Sequence, residues 1–282
     1  MGWCLTCFSN KGCSAISKWN LFKARLLVSV LLCLLSFTSV RAEKAVTLWS
    51  YYRFPPFVTG EQKGLSYDFV RLLNRYSEGL YQFNLQLLPR KRLDKLLSEG
   101  AQGTVLFVHW SWMGDKEQSR YLWTPAFLLD RNEIIYHRNN PVFYDGSADS
   151  LKGLTLGGVL GRRYKGIDPL VDNGEITRVD VSGEDQNIYK LLHQRIDVTT
   201  MPASMFFYLR QQLDSERELL SAQKPMSEYS RHILVSKELH EVHAFLSIFN
   251  QWVAADLRWQ QTLIRYGLQE QLESLKVPVA PE

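Results

Sequence analysis

The chain has 282 residues, 45% hydrophobic and 22% charged, so it can bury a core the size of one large domain or two lobes, and it is neither disordered nor fibrous in composition. Its formal net charge of +4 comes from one end: Lys11, Lys18, Lys23, Arg25 and Arg41 lie within the first 42 residues, where none of the 29 acidic residues falls. Residues 43–282 therefore have a net charge of −1, which leaves no basic excess to track a nucleic-acid backbone.

The first element is a targeting segment. Lys18, Lys23 and Arg25 precede an unbroken run of apolar and small residues over 26–40, and Val40-Arg41-Ala42 then gives small-x-small before Glu43. This pattern predicts a secretory signal peptide over 1–42 and a periplasmic mature chain. The apolar run is shorter than the roughly 20 residues that span a bilayer as a helix, which disfavours an uncleaved anchor. A lipoprotein signal at Cys33 lacks the small residue it needs in Val30-Leu31-Leu32. All four cysteines (Cys4, Cys7, Cys13, Cys33) lie in this segment, so the mature chain has no disulfide and no thiol nucleophile.

The mature chain alternates strands and helices. Residues 46–49 read as a strand, and Leu65, Phe69, Leu72, Leu73 and Tyr76 recur at helical spacing behind Gly64. Residues 83–88 alternate as a second strand. Leu93, Leu96 and Leu97 make a short helix closed by Gly100. Residues 105–108 and 133–137 read as buried strands. After a loop at Arg138-Asn139-Asn140-Pro141 the rhythm restarts, with strands over 154–159, 176–181, 196–200 and 233–235. Helices are predicted over 188–192 and 205–213. Val242, Phe245, Leu246, Phe249, Trp252 and Val253 mark one face of a long helix, a last helix ends near Gly267, and residues 277–281 read as a frayed tail. This order predicts an α/β fold in two units with a ligand cleft between them.

Several residues sit where such a cleft would open. Tyr51-Tyr52-Arg53-Phe54-Pro55-Pro56-Phe57 follows the first strand, and Trp110 and Trp112 follow the third. Ligands bind outside the carboxyl ends of strands in open α/β sheets, so these rings are candidate walls, with ordinary loop packing as the alternative. Gly157-Gly158-Val159-Leu160-Gly161-Arg162-Arg163 is neither G-x-G-x-x-G nor a P-loop. Its amides suit an anion if a helix starts at Arg162; otherwise the arginines are a solvated pair. His240 and His243 lack a third ligand at zinc spacing, so no metal is expected. No G-x-S-x-G elbow occurs, and Glu117, Asp185 and Asp197 show no pairing that would make them catalytic.

These landmarks together resemble the bacterial extracellular solute-binding proteins of family 3. The resemblance rests on Tyr52-Arg53-Phe54-Pro55-Pro56-Phe57, Gly64-Leu65-Ser66-Tyr67-Asp68-Phe69, the Leu93 to Gly100 helix and the segment 119–127. It continues through Ser150-Leu151-Lys152-Gly153-Leu154 with Gly158 and Gly161, Asn187-Ile188-Tyr189 with Arg195-Ile196-Asp197, Leu234-Val235-Ser236-Lys237, and Tyr266-Gly267. It covers essentially the whole mature chain. It implies a two-lobed type II periplasmic-binding fold, each lobe a mostly parallel sheet flanked by helices. Lobe 1 would be 43–135 with a C-terminal return over 232–282, and lobe 2 would be 136–231. The crossover strands would lie near 133–137 and 232–235, and hinge closure would bury a small-molecule solute. The implied partner is an ABC permease or a membrane sensor; the chain is expected to be a monomer without a cofactor.

The departures from the family concern its ligand anchors. The family's carboxylate-clamping Arg falls on Glu117, its polar Ser positions fall on Trp110 and Trp112, its Thr falls on Arg162 or Arg163, and its Asp falls near Pro202. The resemblance thus implies a periplasmic binder of a small polar or cyclic solute other than a standard α-amino acid. The expected ligand-binding residues are Tyr52, Phe54, Trp110, Trp112, Glu117, Arg162, Arg163 and Asn187, with no catalytic residue. Three alternatives accompany it: a dehydratase-like enzyme with Glu117 as general acid, an amino-acid binder with relocated anchors, and a module that has lost its pocket.

Overall fold

In the computed structural model, residues 43–270 are described. The expected signal peptide with its four cysteines and the tail over 277–281 lie outside them. The first lobe opens with β1 (Lys44–Ser50), α1 (Leu65–Ser77), β2 (Tyr81–Leu87), α2 (Arg90–Ser98) and β3 (Thr104–Val108). β1 runs parallel to β2 on one side and to β3 on the other. All five residues of β3 are buried, as an apolar strand covered on both faces must be. The α1 stripe of Leu65, Phe69, Leu72 and Leu73 faces the core, and Gly64 (φ 121°) lets the chain enter the helix against the Phe57 carbonyl, where a Cβ would collide.

The second lobe comprises β6 (Thr155–Val159), α3 (Asp168–Asp172), β7 (Thr177–Val181), α4 (Asp185–Leu192), β8 (Val198–Pro202) and α5 (Ala203–Gln212). β6 is parallel to both β7 and β8. Two long strands join the lobes: β5 (Leu128–His137) and β10 (Ser227–Val235). The sheet order is β2-β1-β3-β10-β5-β8-β6-β7. Short β4 (Leu122–Trp123) pairs with β10, and β9 (Leu219–Ser221) pairs with β5. The two connecting strands pair antiparallel with each other over 128–132 and 227–231. That junction starts earlier along both strands than the crossovers expected near 133–137 and 232–235, and its residues are largely polar.

The chain returns to the first lobe through α6 (His240–Val253) and α7 (Leu257–Arg265). Phe69 of α1 meets Phe249 of α6 at 5.4 Å and Trp259 of α7 at 5.3 Å between ring centroids. Asp256 caps α7 by accepting hydrogen bonds from the Arg258 and Trp259 amides. A smaller core in the second lobe gathers Ile134, Tyr144, Leu151, Leu156, Tyr164, Ile167, Ile176 and Val198. Among the described residues no helix is long and apolar enough to cross a membrane.

Candidate functional site

A cleft of about 300 Å3 opens where the two lobes and both connecting strands converge. The first lobe contributes Tyr51, Tyr52 and Phe54 from the end of β1 and Trp112 from the one-turn helix Trp110–Met113 after β3. The connecting strands contribute Asn132, Tyr229 and Arg231. The second lobe contributes Arg162 after β6, Glu184 at the start of α4 and Pro202 at the end of β8. The volume is at the small end of the range for small-molecule sites, roughly 300–1,000 Å3.

The walls are an ordered set of rings. Tyr52 packs edge-on against Phe54 at 5.4 Å, and Trp112 packs edge-on against Tyr229 at 4.8 Å. The Tyr51 and Tyr52 hydroxyls are 3.0 Å apart. Burial, and then the charge of Asp130, pushes the Tyr229 hydroxyl well above its ordinary pKa. Burial, and then Tyr52, does the same for Tyr51. These phenols remain neutral donors across the physiological range.

The floor is a buried ion pair. The Arg231 and Asp130 side chains are 1% and 0% exposed, with Nη2 and Oδ2 2.7 Å apart and a second bond from Nε at 3.0 Å. Arg231 Nη1 donates to the Phe107 carbonyl on β3 at 3.0 Å, and Asp130 accepts from Ser204 Oγ on α5 at 2.7 Å. The pair thus ties the first lobe to the second through the junction of the crossover strands. Four rings surround the guanidinium: Phe57 at 4.8 Å, Tyr52 at 5.0 Å, Tyr229 at 5.2 Å and Trp112 at 5.7 Å. Burial opposes the charge, and the facing oxygens of Tyr52, Asp130 and Tyr229 more than offset it, so Arg231 stays protonated. Phe107 adopts φ 63°, a left-handed conformation uncommon for a side chain of its size, at a bulge where β3 and β10 shift register.

At the second-lobe rim, Arg162 pairs with Glu184 and lies 5.6 Å from the Tyr164 ring centroid. The two put opposite charges side by side on one wall. No helix starts at Arg162, the condition set for an anion-binding turn there: Gly161 (φ 75°) closes a turn with the Arg162 amide on the Val159 carbonyl, and the next helix waits for Asp168-Pro169. The Gly157-Gly158 pair is closely packed. A Cβ on Gly157 would strike Ile196 and Asn187, and one on Gly158 would strike Asp180 and Arg178.

Of the eight residues expected at the site, Tyr52, Phe54, Trp112 and Arg162 line this cleft. The other four lie elsewhere. Trp110 packs between His109 at 4.0 Å and His232 at 4.7 Å, its ring tilted to both. Glu117 is exposed, because its loop folds around buried Asp115, which accepts from the Ser119, Arg120 and Tyr121 amides and from Trp123 Nε1. Burial raises the Asp115 pKa, but those four donors outweigh it and hold the carboxyl below its ordinary value. The Arg163 side chain is 91% exposed. Asn187 is buried and donates to the Gly158 carbonyl at 3.1 Å, bracing β6. Asp197 likewise serves the backbone, accepting from the Thr155 amide at 2.7 Å. Sequence reasoning missed Asn132, Glu184, Tyr229 and Arg231; the one available signal was a lone arginine heading the apolar run Ile233-Leu234-Val235. Among the described residues no group of three or more His, Cys, Asp or Glu side chains is placed to hold a metal.

His232, beside Arg231, is nearly buried, with Nδ1 2.8 Å from the Thr124 carbonyl oxygen and Nε2 2.7 Å from Ser230 Oγ. Burial lowers its pKa to about 4, with His109 adding to the shift and the Thr124 carbonyl opposing it. A histidine depressed in the folded state loses stability as pH falls, because the unfolded chain takes up the proton first. Unfolding free energy is expected to drop by up to about 3 kcal/mol between pH 6.5 and pH 4, and His232→Gln is expected to flatten that slope in urea titrations. An equal slope in the variant would remove His232 as its source.

No family model and no curated protein matches the chain. Solved structures do. An ancestral arginine-binding protein bound to arginine is 12% identical, with 80% of this chain and 99% of that one covered at a TM-score of 0.59. A probable amino-acid ABC transporter extracellular-binding protein from Bacillus subtilis is 15% identical, covering 81% and 99% at 0.60. The B. pertussis BvgS periplasmic domain is 17% identical over 83% of this chain but only 44% of that one, at 0.61. These likenesses and the strand order agree: the chain has the two-lobed α/β fold of the family 3 solute-binding proteins.

Proposed function

We propose that this chain is an exported solute-binding protein that holds a small solute in the aromatic cleft and hands it to an ABC permease or a membrane sensor. The observation that carries the reading is the convergence of both lobes and both connecting strands on one ring-lined cleft beside an Arg162–Glu184 pair. The expected solute has a flat or apolar body, stacked on Trp112 and Tyr52, and one anionic group that takes Arg162 from Glu184. The same pair favours a second reading, an amino-acid zwitterion with relocated anchors, its carboxylate on Arg162 and its ammonium on Glu184. Glu117, the acid the dehydratase alternative needs, is exposed and is not among the residues lining the cleft, which favours binding over catalysis.

A thermal-shift screen of the mature chain from Glu43 against aromatic carboxylic acids, cyclic acids and amino acids separates the two, because a ligand of the folded state raises the melting point. Acids without an amine should give the larger shifts; a preference for amines selects the zwitterion. For the strongest hit, Trp112→Ala is expected to weaken binding roughly tenfold, about 1.4 kcal/mol, and Arg162→Ala by at least as much. Unchanged affinity in both variants rejects the cleft as the site.

A further inference from the structure

We propose a second binding site on the first lobe: an arginine-lined groove between α1 and α7 that takes a small multivalent oxyanion, one molecule bearing several phosphate or carboxylate groups. The groove encloses about 580 Å3 and shares no lining residue with the aromatic cleft. Each helix turns one stripe into it. Asp68, Arg71 and Arg75 follow one another at three- and four-residue spacing on α1, and Arg258, Thr262 and Arg265 do so on α7.

Charge in the groove is unbalanced. Four guanidiniums face one lining carboxylate, in a chain whose residues 43–282 have a net charge of −1. Asp68 is already shared: it pairs with Arg71, lies 3.4 Å from Arg265 and accepts from the Tyr266 hydroxyl at 2.8 Å. Arg258 pairs at 2.7 Å with Asp256, the cap of its own helix. Arg75 makes no ion pair among the described residues. The side chains of Arg71, Arg258 and Arg265 are each more than half exposed; Arg71 also donates to the Gln62 carbonyl and Arg265 to the Thr262 hydroxyl. A concave surface of one sign focuses its field and concentrates counter-ions. Arginine forks match phosphate and carboxylate oxygens in pairs, and guanidinium gives up its hydration more readily than ammonium does. A monovalent anion would engage one fork; an anion with several charged groups answers the whole stripe.

The test is calorimetric titration of the mature chain from Glu43 with tripolyphosphate and with citrate, at low salt and at 150 mM NaCl. The expected result is one saturable site for at least one of them, weakened by salt and weakened roughly tenfold by Arg75→Ala and by Arg265→Ala. Arg75→Ala breaks no ion pair with Asp68 or Asp256, so a loss there is a loss of anion contact. Trp112→Ala in the cleft should leave anion binding unchanged, and Arg75→Ala should leave the solute shift in the cleft unchanged, so this site and the solute-binding reading fail separately. Three results overturn the proposal: no binding beyond that seen with matched NaCl, binding unaffected by both arginine variants, or binding to vesicles of anionic phospholipid with none to the free anions.

Discussion

Asp130→Ala is expected to lower the unfolding free energy by about 3–5 kcal/mol, because it leaves the Arg231 guanidinium charged, buried and without its carboxylate. For a chain of this size that corresponds to a fall in melting temperature of roughly 10 °C. The rings around Arg231 soften the loss but cannot replace two charge-assisted bonds, and Ser204 loses its acceptor in the same step. The double replacement Asp130→Leu with Arg231→Met is expected to recover much of the stability, since it removes the desolvation of both ions. Paired urea titrations decide the matter. If Asp130→Ala proves as stable as the wild type, the pair does not brace the junction.

Phe69→Ala is the second large effect. Phe69 is fully buried and sits within 4.7–5.6 Å, centroid to centroid, of Phe107, Phe127, Phe249 and Trp259. These rings come from β3, the segment before β5, α6 and α7, so they cannot all close on the vacated space. The expected loss is about 3–5 kcal/mol. Phe69→Leu, which keeps most of the volume, should cost clearly less. Equal losses from the two variants would mean that shape, rather than buried volume, governs this core.

The parts of the fold that could be read from the sequence are those that bury apolar side chains with a period. α1 declares itself through Leu65, Phe69, Leu72 and Leu73, and β3 through an unbroken apolar run. β4 and β9 are two and three residues long, too short for any period, and β10 begins with polar Ser227 and Glu228. The cleft was legible where rings follow strands, as at Tyr52, Phe54 and Trp112. It was not legible where a residue matters through a distant partner: Arg231 meets Asp130 from 101 positions away, and Glu184 gains its place only because Arg162 lies opposite. Glu117 shows the converse. The resemblance leads to the expectation of a ligand residue there, but the loop folds around Asp115 and turns it to solvent.

The Gly157-Gly158 pair ties the evolution of its strand to its surroundings. The space a side chain would need at 157 is held by Ile196 and Asn187, and that at 158 by Asp180 and Arg178. Three of the four are held by hydrogen bonds, Asp180 by Arg178, and Ile196 is buried. Asn187 holds the Gly158 carbonyl, and Arg178 holds the Val159 carbonyl and Asp168. A single change at either glycine therefore meets at least one neighbour already engaged elsewhere, Asn187 at 157 and Arg178 or Asp180 at 158. Descendants of this chain that acquire a side chain at 157 should also carry a smaller residue at 187 or 196, so these positions should drift together or not at all.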